Sequence, residues 1–357
     1  MIGSPVEHAH KSEPALFEGG GFQLDGPDGI DRLAEWLHLD PADMKRVADV
    51  YPVRINRYFG DLLRARGPSI ARQVVPDPAE LADEKGLEDP LGEERDSPVP
   101  HLTHKYPDRV LLLVTTECAV FCRFCTRKRK IGRECGVNSK SIEEGIRYIR
   151  GNARIRDVLV SGGDPLMLSD ARLEWILSRI REIQHVEIIR IGTRIPSAFP
   201  ARVTPRLAAM LSRFHPIFLN LHFNHPDEVT EETERACGLL SDAGIPLGSQ
   251  TVLLKGINDH PGILEQLIRG LLRIRVQPYY LLHADLAKGT GHFRTTVGSG
   301  LRIMAALRKR LPVAFLPTYV VDLPEGGGKV PLGPVQNVKP WLRPQAEKER
   351  IGFSGTD

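Results

Sequence analysis

The chain has 357 residues, a formal net charge of +3, and a composition of 41% hydrophobic and 26% charged residues. That length buries a large core, as one α/β unit or two domains, and the small, interleaved charge argues against a nucleic-acid binder. No run of roughly 18 apolar residues is present, so no membrane span is expected, and Met1 to Leu16 lacks the apolar centre of a secretory signal.

Residues 1–26 are polar, contain Gly19-Gly-Gly21, and are expected to be a flexible N-terminus. Residues 27–100 predict a helical and wrapping segment. Leu33 and Leu37 share a helical face, and Asp40-Pro41 places a cap before a proline suited to the first helical turn. Residues 68–100 are proline-rich and acidic, with apolar residues too sparse for a core element, and no chemistry is expected from this N-terminal quarter. Short β-branched or leucine-rich runs then recur at 110–115, 157–161, 188–193, 217–223, 247–254 and 277–282. Helical stretches separate them at 142–150, 171–183, 204–213, 230–243 and 262–273. This alternation predicts an α/β fold of parallel strands with right-handed crossovers. About six units make a partial TIM-like (βα)6 barrel, with its active site at the C-terminal ends of the strands. The barrel is assigned to 101–283, a substrate and lysine-loop region to 284–340, and a tail to 341–357.

Three cysteines follow the first barrel run at C-x3-C-x2-C spacing: Cys118, Cys122 and Cys125. Thiolates suit iron–sulfur clusters, and three of them leave one iron of a four-iron cube open for a small-molecule ligand. A zinc site completed by His101 or His104 is the alternative, but a second cysteine pair is missing, and Cys135 and Cys237 stand alone. Three reduced thiols fit the reducing cytoplasm. Ser161-Gly-Gly-Asp-Pro165 reads either as a plain turn or as backbone brought close to a ligand's amino group by Gly162, Gly163 and Asp164. His222, Asn224 and Gln250 are either satisfied polar groups of the strands or ligand contacts. Farther on, Asp322-Leu-Pro-Glu-Gly-Gly-Gly-Lys329-Val lacks the Ser/Thr of a phosphate loop. It reads as a lysine on a mobile glycine loop, suited to reversible Schiff-base formation with an aldehyde cofactor, or as a merely exposed lysine.

The stretch Cys118-Ala-Val-Phe-Cys122-Arg-Phe-Cys125-Thr-Arg-Lys-Arg-Lys-Ile-Gly132 resembles the lysine 2,3-aminomutases, radical S-adenosylmethionine enzymes that also carry pyridoxal phosphate. So do Leu102-Thr-His-Lys-Tyr-Pro-Asp-Arg-Val-Leu111, Ser161-Gly-Gly-Asp-Pro-Leu166, His222-Phe-Asn-His-Pro226, Pro278-Tyr-Tyr280, Gly291-His-Phe-Arg-Thr295 and Val321-Asp-Leu-Pro-Glu-Gly-Gly-Gly-Lys329. The resemblance implies a [4Fe-4S] cluster on Cys118, Cys122 and Cys125, with S-adenosylmethionine on the open iron. It assigns Gly162, Gly163, Asp164, His222 and Gln250 to that ligand, Lys329 to pyridoxal phosphate, and Arg109 to the cofactor phosphate. Arg127 is implied to grip the substrate carboxylate, and Asp285 and Asp322 the side-chain ammonium of lysine. A 5′-deoxyadenosyl radical then takes hydrogen from Cβ, and the α-amino group migrates there to give β-lysine. Arginine, or a lysine on a translation factor, is the alternative substrate. The implied partners are an electron donor such as flavodoxin or ferredoxin and other copies of the chain in a homo-oligomer. Lys105 stands where the family has an arginine and is not expected to make a specific contact. Clostridial members also carry a cysteine-bearing tail for a zinc site, whereas no cysteine follows Cys237 here, so assembly through such a tail is not expected.

Overall fold

The computed structural model describes residues 26–38, 40–323 and 328–333. The flexible terminus, the tail and two glycines of the triple-glycine stretch, Gly326 and Gly327, lie outside the described residues. Four helices open the chain: α1 (Gly26–Leu37), α2 (Pro41–Val50), α3 (Arg57–Arg66) and the single turn α4 (Pro68–Ala71). Asp40 caps α2 by accepting the Ala42 N–H, and Asn56 caps α3 through the Phe59 N–H. Leu33, Met44, Val47 and Phe59 turn one face of these helices into the core.

The barrel begins with a hairpin, β1 (Leu102–Tyr106) and β2 (Arg109–Leu113). It continues as α5 (Ser139–Arg150), β3 (Asp157–Ser161), α6 (Asp170–Arg181), β4 (Ile188–Thr193), α7 (Ile195–Ala198), α8 (Pro205–Ser212) and β5 (Ile217–His222). Then come α9 (Glu231–Asp242), β6 (Leu247–Leu253), α10 (Pro261–Arg273), β7 (Gln277–His283), α11 (Val297–Arg308), β8 (Thr318–Leu323) and β9 (Gly328–Pro331). The strands lie in one sheet in chain order, with β2 to β8 parallel and β1 and β9 antiparallel at the two edges. The six βα units expected from the alternation are present, and a seventh parallel strand, β8, follows them. Gly300 lets α11 settle on β8, because a Cβ there would sit 2.2 Å from the Tyr319 ring.

Alternate strand residues divide two environments. Val158, Val160, Ile189, Ile191, Leu219 and Leu221 are fully buried in the core shared with helix residues such as Ile146, Leu173 and Leu207. The intervening positions, among them Asp157, Arg190, Asn220, His222 and Gln250, are only partly buried and face the concave side of the sheet. Arg190 and Asp157 pair there at 2.8 Å across β4 and β3. A polar, partly solvated concavity is therefore available for ligands, with its rim at the strand ends.

Candidate active site

Beyond β2 the chain runs along the end of β3. Val114 donates to Ser161 O, Gly163 to Thr115 O at 2.7 Å, and Asp164 to Glu117 O at 2.7 Å. Gly162 has φ +139, and a Cβ on it would sit 2.2 Å from Thr115 O; one on Gly163 would sit 2.2 Å from Glu117 O. Both glycines are thus required by the close approach of the cysteine loop itself. The Asp164 carboxylate accepts from Thr193 Oγ1, Arg194 N and Leu166 N at 2.6–3.1 Å. Burial still raises its pKa, to about 6, against these hydrogen bonds. Asp164 ties β3 to β4, while the backbone of Gly162 and Gly163 stands beside the cysteines.

Cys118, Cys122 and Cys125 line one small cavity together with Tyr51, Phe121 and Lys128. Burial pushes the Cys118 thiol well up and that of Cys125 to about 11. Thiols so costly to ionise alone suit a site where a bound metal would stabilise the thiolate form. The surrounding donors match that charge: Arg194 Nη1 reaches Cys122 Sγ at 2.8 Å, and the Arg127 N–H reaches Cys125 Sγ at 3.3 Å. Among the described residues no three His, Cys, Asp or Glu side chains converge on a point that would hold one metal ion. His104 is bonded to Tyr148 Oη at 2.7 Å, and His101 lines a separate cavity of about 620 Å3 with Cys135, so neither histidine completes a zinc site with the three cysteines.

The N-terminal quarter, expected to carry no chemistry, supplies the carboxylates that fix this loop. Glu80, fully buried, receives both Arg123 (2.9 and 2.6 Å) and Lys128 (2.6 Å). Burial acts to raise the pKa of Glu80, yet Arg123 and Lys128 outweigh it and hold the group below the usual range. Burial in turn draws Lys128 down to about 8, against the attraction of Glu80. Glu93 receives Arg127 at 2.6 Å and Arg129 at 3.3 Å. The basic run after Cys125 is therefore neutralised internally. Arg127 keeps its Nη1 directed at Ser161 Oγ and Gly162 O, 3.3 and 3.4 Å away.

On the far side of the cysteines, Phe124, Phe293, Leu254 and Ile257 form a separate apolar cluster touching Cys122. His222 stacks on Phe124 with ring centroids 5.4 Å apart. Burial, then Arg194, lowers its pKa to about 3, so its imidazole is neutral. Its Nε2 is buried without a partner, as is Ser249 Oγ on β6. An apolar floor with orphaned polar atoms fits an organic ligand bound beside the cysteines. Gln250 pairs in register with His222 and accepts from Tyr279 Oη at 3.3 Å.

Lys329 lies on strand β9 and not on a loop: it is the register partner of Asp322 on β8. Their side chains form an ion pair, and Lys105 Nζ holds the other Asp322 oxygen at 3.1 Å. Lys105 and Asp322 side chains are only 11% and 8% exposed, so the lysine expected to make no specific contact makes a largely buried one. The Lys329 N–H donates to Tyr106 Oη at 2.9 Å, and Arg109 lies 4.7 Å over the Tyr106 ring while pairing with Asp108. Asp285 follows β7; burial, then Asp322, raises it to about 7, against Lys329 and Lys105. Two carboxylates and two lysines thus share one corner of the rim.

Residues 112–267 match the radical SAM superfamily, which implies a four-iron cluster and S-adenosylmethionine. An L-lysine 2,3-aminomutase of Acetoanaerobium sticklandii is 47% identical over 312 residues, covering 85% of this chain and 75% of that protein. Another, of Fusobacterium nucleatum, is 50% identical over 314 residues, covering 86% and 74%. A glutamate 2,3-aminomutase of Clostridioides difficile is 49% identical over 311 residues, covering 85% and 74%. Such identity over most of both chains settles the kinship. The chain belongs to the 2,3-aminomutase family of radical SAM enzymes.

Proposed function

We propose that the protein isomerises L-lysine to β-lysine, using a [4Fe-4S] cluster, S-adenosylmethionine and pyridoxal phosphate. The observation that carries this reading is the corner formed by Asp285, Asp322, Lys105 and Lys329. With Lys329 joined to a cofactor aldehyde, Lys105 balances Asp322, and Asp285 in its ionised form would leave a single negative charge. A substrate side-chain ammonium balances it; a glutamate carboxylate adds to it. When bound, the cluster with S-adenosylmethionine supplies a carbon radical that removes hydrogen from Cβ, and pyridoxal phosphate supplies the conjugated ring over which the unpaired electron spreads.

The chain's own residues bind, orient and shield. Cys118, Cys122 and Cys125 hold the cluster. Gly162, Gly163, His222 and Gln250 face S-adenosylmethionine, and Asp164 keeps the glycine turn in place. Lys329 would hold pyridoxal phosphate through its Nζ, which pairs with Asp322 here. Arg109 with Tyr106 suits the cofactor phosphate, and the Nη1 side of Arg127 suits the substrate carboxylate. Holding the radical source against Cβ in a shielded concavity is the protein's share of the acceleration. A flavodoxin- or ferredoxin-type donor and a reducing cytoplasm complete the proposal.

The test is anaerobic reconstitution with iron, sulfide, S-adenosylmethionine, pyridoxal phosphate and a reductant, followed by amino-acid analysis. L-lysine, L-arginine, L-ornithine and L-glutamate are supplied separately. We expect β-lysine as the main product. Isomerisation of arginine or glutamate with lysine untouched, or of a translation-factor lysine only, overturns the assignment.

A further inference from the structure

Arg194 follows β4, far in sequence from the cysteines, yet its guanidinium is built against one of them. Nη1 is 2.8 Å from Cys122 Sγ, while Nη2 is 2.6 Å from Gln73 Oε1 and 3.1 Å from Glu228 Oε2. The group lies over the rings of Phe59 and Phe124, 5.2 and 5.4 Å from their centroids. Its frame has no slack. Glu228, fully buried, also accepts from Gln73 Nε2, Asn224 N and His225 N at 2.9–3.1 Å, and Asn224 Nδ2 donates to Gln73 Oε1. One buried carboxylate already balances the guanidinium charge, so the donor directed at Cys122 is not needed to pair the arginine. Cys118 has Asp164 and Arg54 among its charged neighbours, with Arg54 bonded to its carbonyl oxygen at 3.2 Å, and the Cys125 sulfur receives a backbone N–H. The three sulfurs are therefore unequal, and among the described residues only the Cys122 sulfur has a side-chain cation hydrogen-bonded to it.

We infer that Arg194 is a positioning residue that sets the reduction potential of the cluster through Cys122. Hydrogen bonds and positive charge at a thiolate ligand stabilise the more electron-rich, reduced cluster and raise its potential. The inference rests on the three cysteines holding a four-iron cluster, as proposed above. It adds that the N-terminal segment, through Phe59 on α3 and Gln73 in the turn after α4, takes part in tuning electron uptake.

The experiment is an EPR-monitored redox titration of reconstituted wild type, Arg194→Lys, Arg194→Gln and Gln73→Leu, with iron and sulfide measured for each. Arg202→Lys, a buried arginine bonded to Leu166 O and Asp170, is the control. We expect more negative potentials for both Arg194 variants, larger for glutamine, and a smaller shift of the same sign for Gln73→Leu. Gln73→Leu retains Arg194 and all three cysteines, so it carries the test if the others lose iron. Wild-type potentials in the iron-replete variants, or an equal shift in Arg202→Lys, overturn the inference. A wild type that takes up no four-iron cluster instead overturns the cofactor reading beneath it.

Discussion

Asp285 concentrates the chemistry of the site into one proton. Burial and then Asp322 raise it from the ordinary 3.8 to about 7. Between those values the folded protein holds a proton that the unfolded chain has released. The stabilisation is therefore present below about 4 and lost as pH rises through about 7, on the order of a few kcal/mol without cofactors. Binding of a cationic substrate runs the other way, because only ionised Asp285 offers a charge. Asp285→Asn is expected to flatten the pH dependence of stability, followed by denaturant midpoints. Asp285→Asn and Asp322→Asn should each lower kcat/KM for lysine by roughly ten- to hundredfold, the value of a charged hydrogen bond of about 1.5–3 kcal/mol, with the cluster spectrum unchanged. Unaltered kcat/KM in both variants removes the aspartates from substrate binding. The meeting of the three cysteines in one cavity was legible because their short spacing keeps them together. Lys105 was not, since an isolated lysine in a polar strand says nothing of the buried aspartate 217 positions away that it meets.

At the scale of elements, residues 68–100 show how a segment with little regular structure does structural work. Apart from Ile70, Val74 and Val75, which join the core, its apolar residues are sparse, and it holds the molecule by Glu80 and Glu93, each joined to more than one cation of the run 123–130. Removing one partner from such a buried set leaves the others desolvated and uncompensated. Glu80→Ala is expected to cost about 3–5 kcal/mol, whereas Arg46→Ala, whose exposed partner is Asp43, should change stability by less than about 1 kcal/mol. Chemical denaturation of the cofactor-free proteins checks both, and equal effects would discard the clamp. The repeating βα units were legible because apolar runs bounded by turn residues mark buried parallel strands. The edge strands β1 and β9 were not: each is buried on few positions, so Leu-Thr-His-Lys-Tyr and Gly-Lys-Val-Pro carry little periodic signal. The clamping role of the acidic wrapping run was not legible, because its carboxylates meet their cations only in three dimensions.

For the whole molecule, iron is expected to act as a staple between the cysteine loop, the N-terminal helices and the barrel. A ligand that binds only the folded state stabilises by mass action, about 2.7 kcal/mol at a hundredfold excess over Kd. Anaerobic chelation should lower Tm by several degrees, and reconstitution should restore it; a Tm indifferent to iron would separate the cluster from folding. Among the described residues the sheet runs from β1 to β9 without a backbone ladder between its two ends. Side chains of β1 cross that gap: Tyr106 Oη accepts the Lys329 N–H, and Lys105 donates to Asp322. The lysine proposed to carry pyridoxal phosphate is thus also part of the clasp on the barrel's open side, through its backbone N–H and not its Nζ. The fastening and the reactive amine are separate atoms of one residue, so the Nζ can change partners while the two ends of the sheet stay joined.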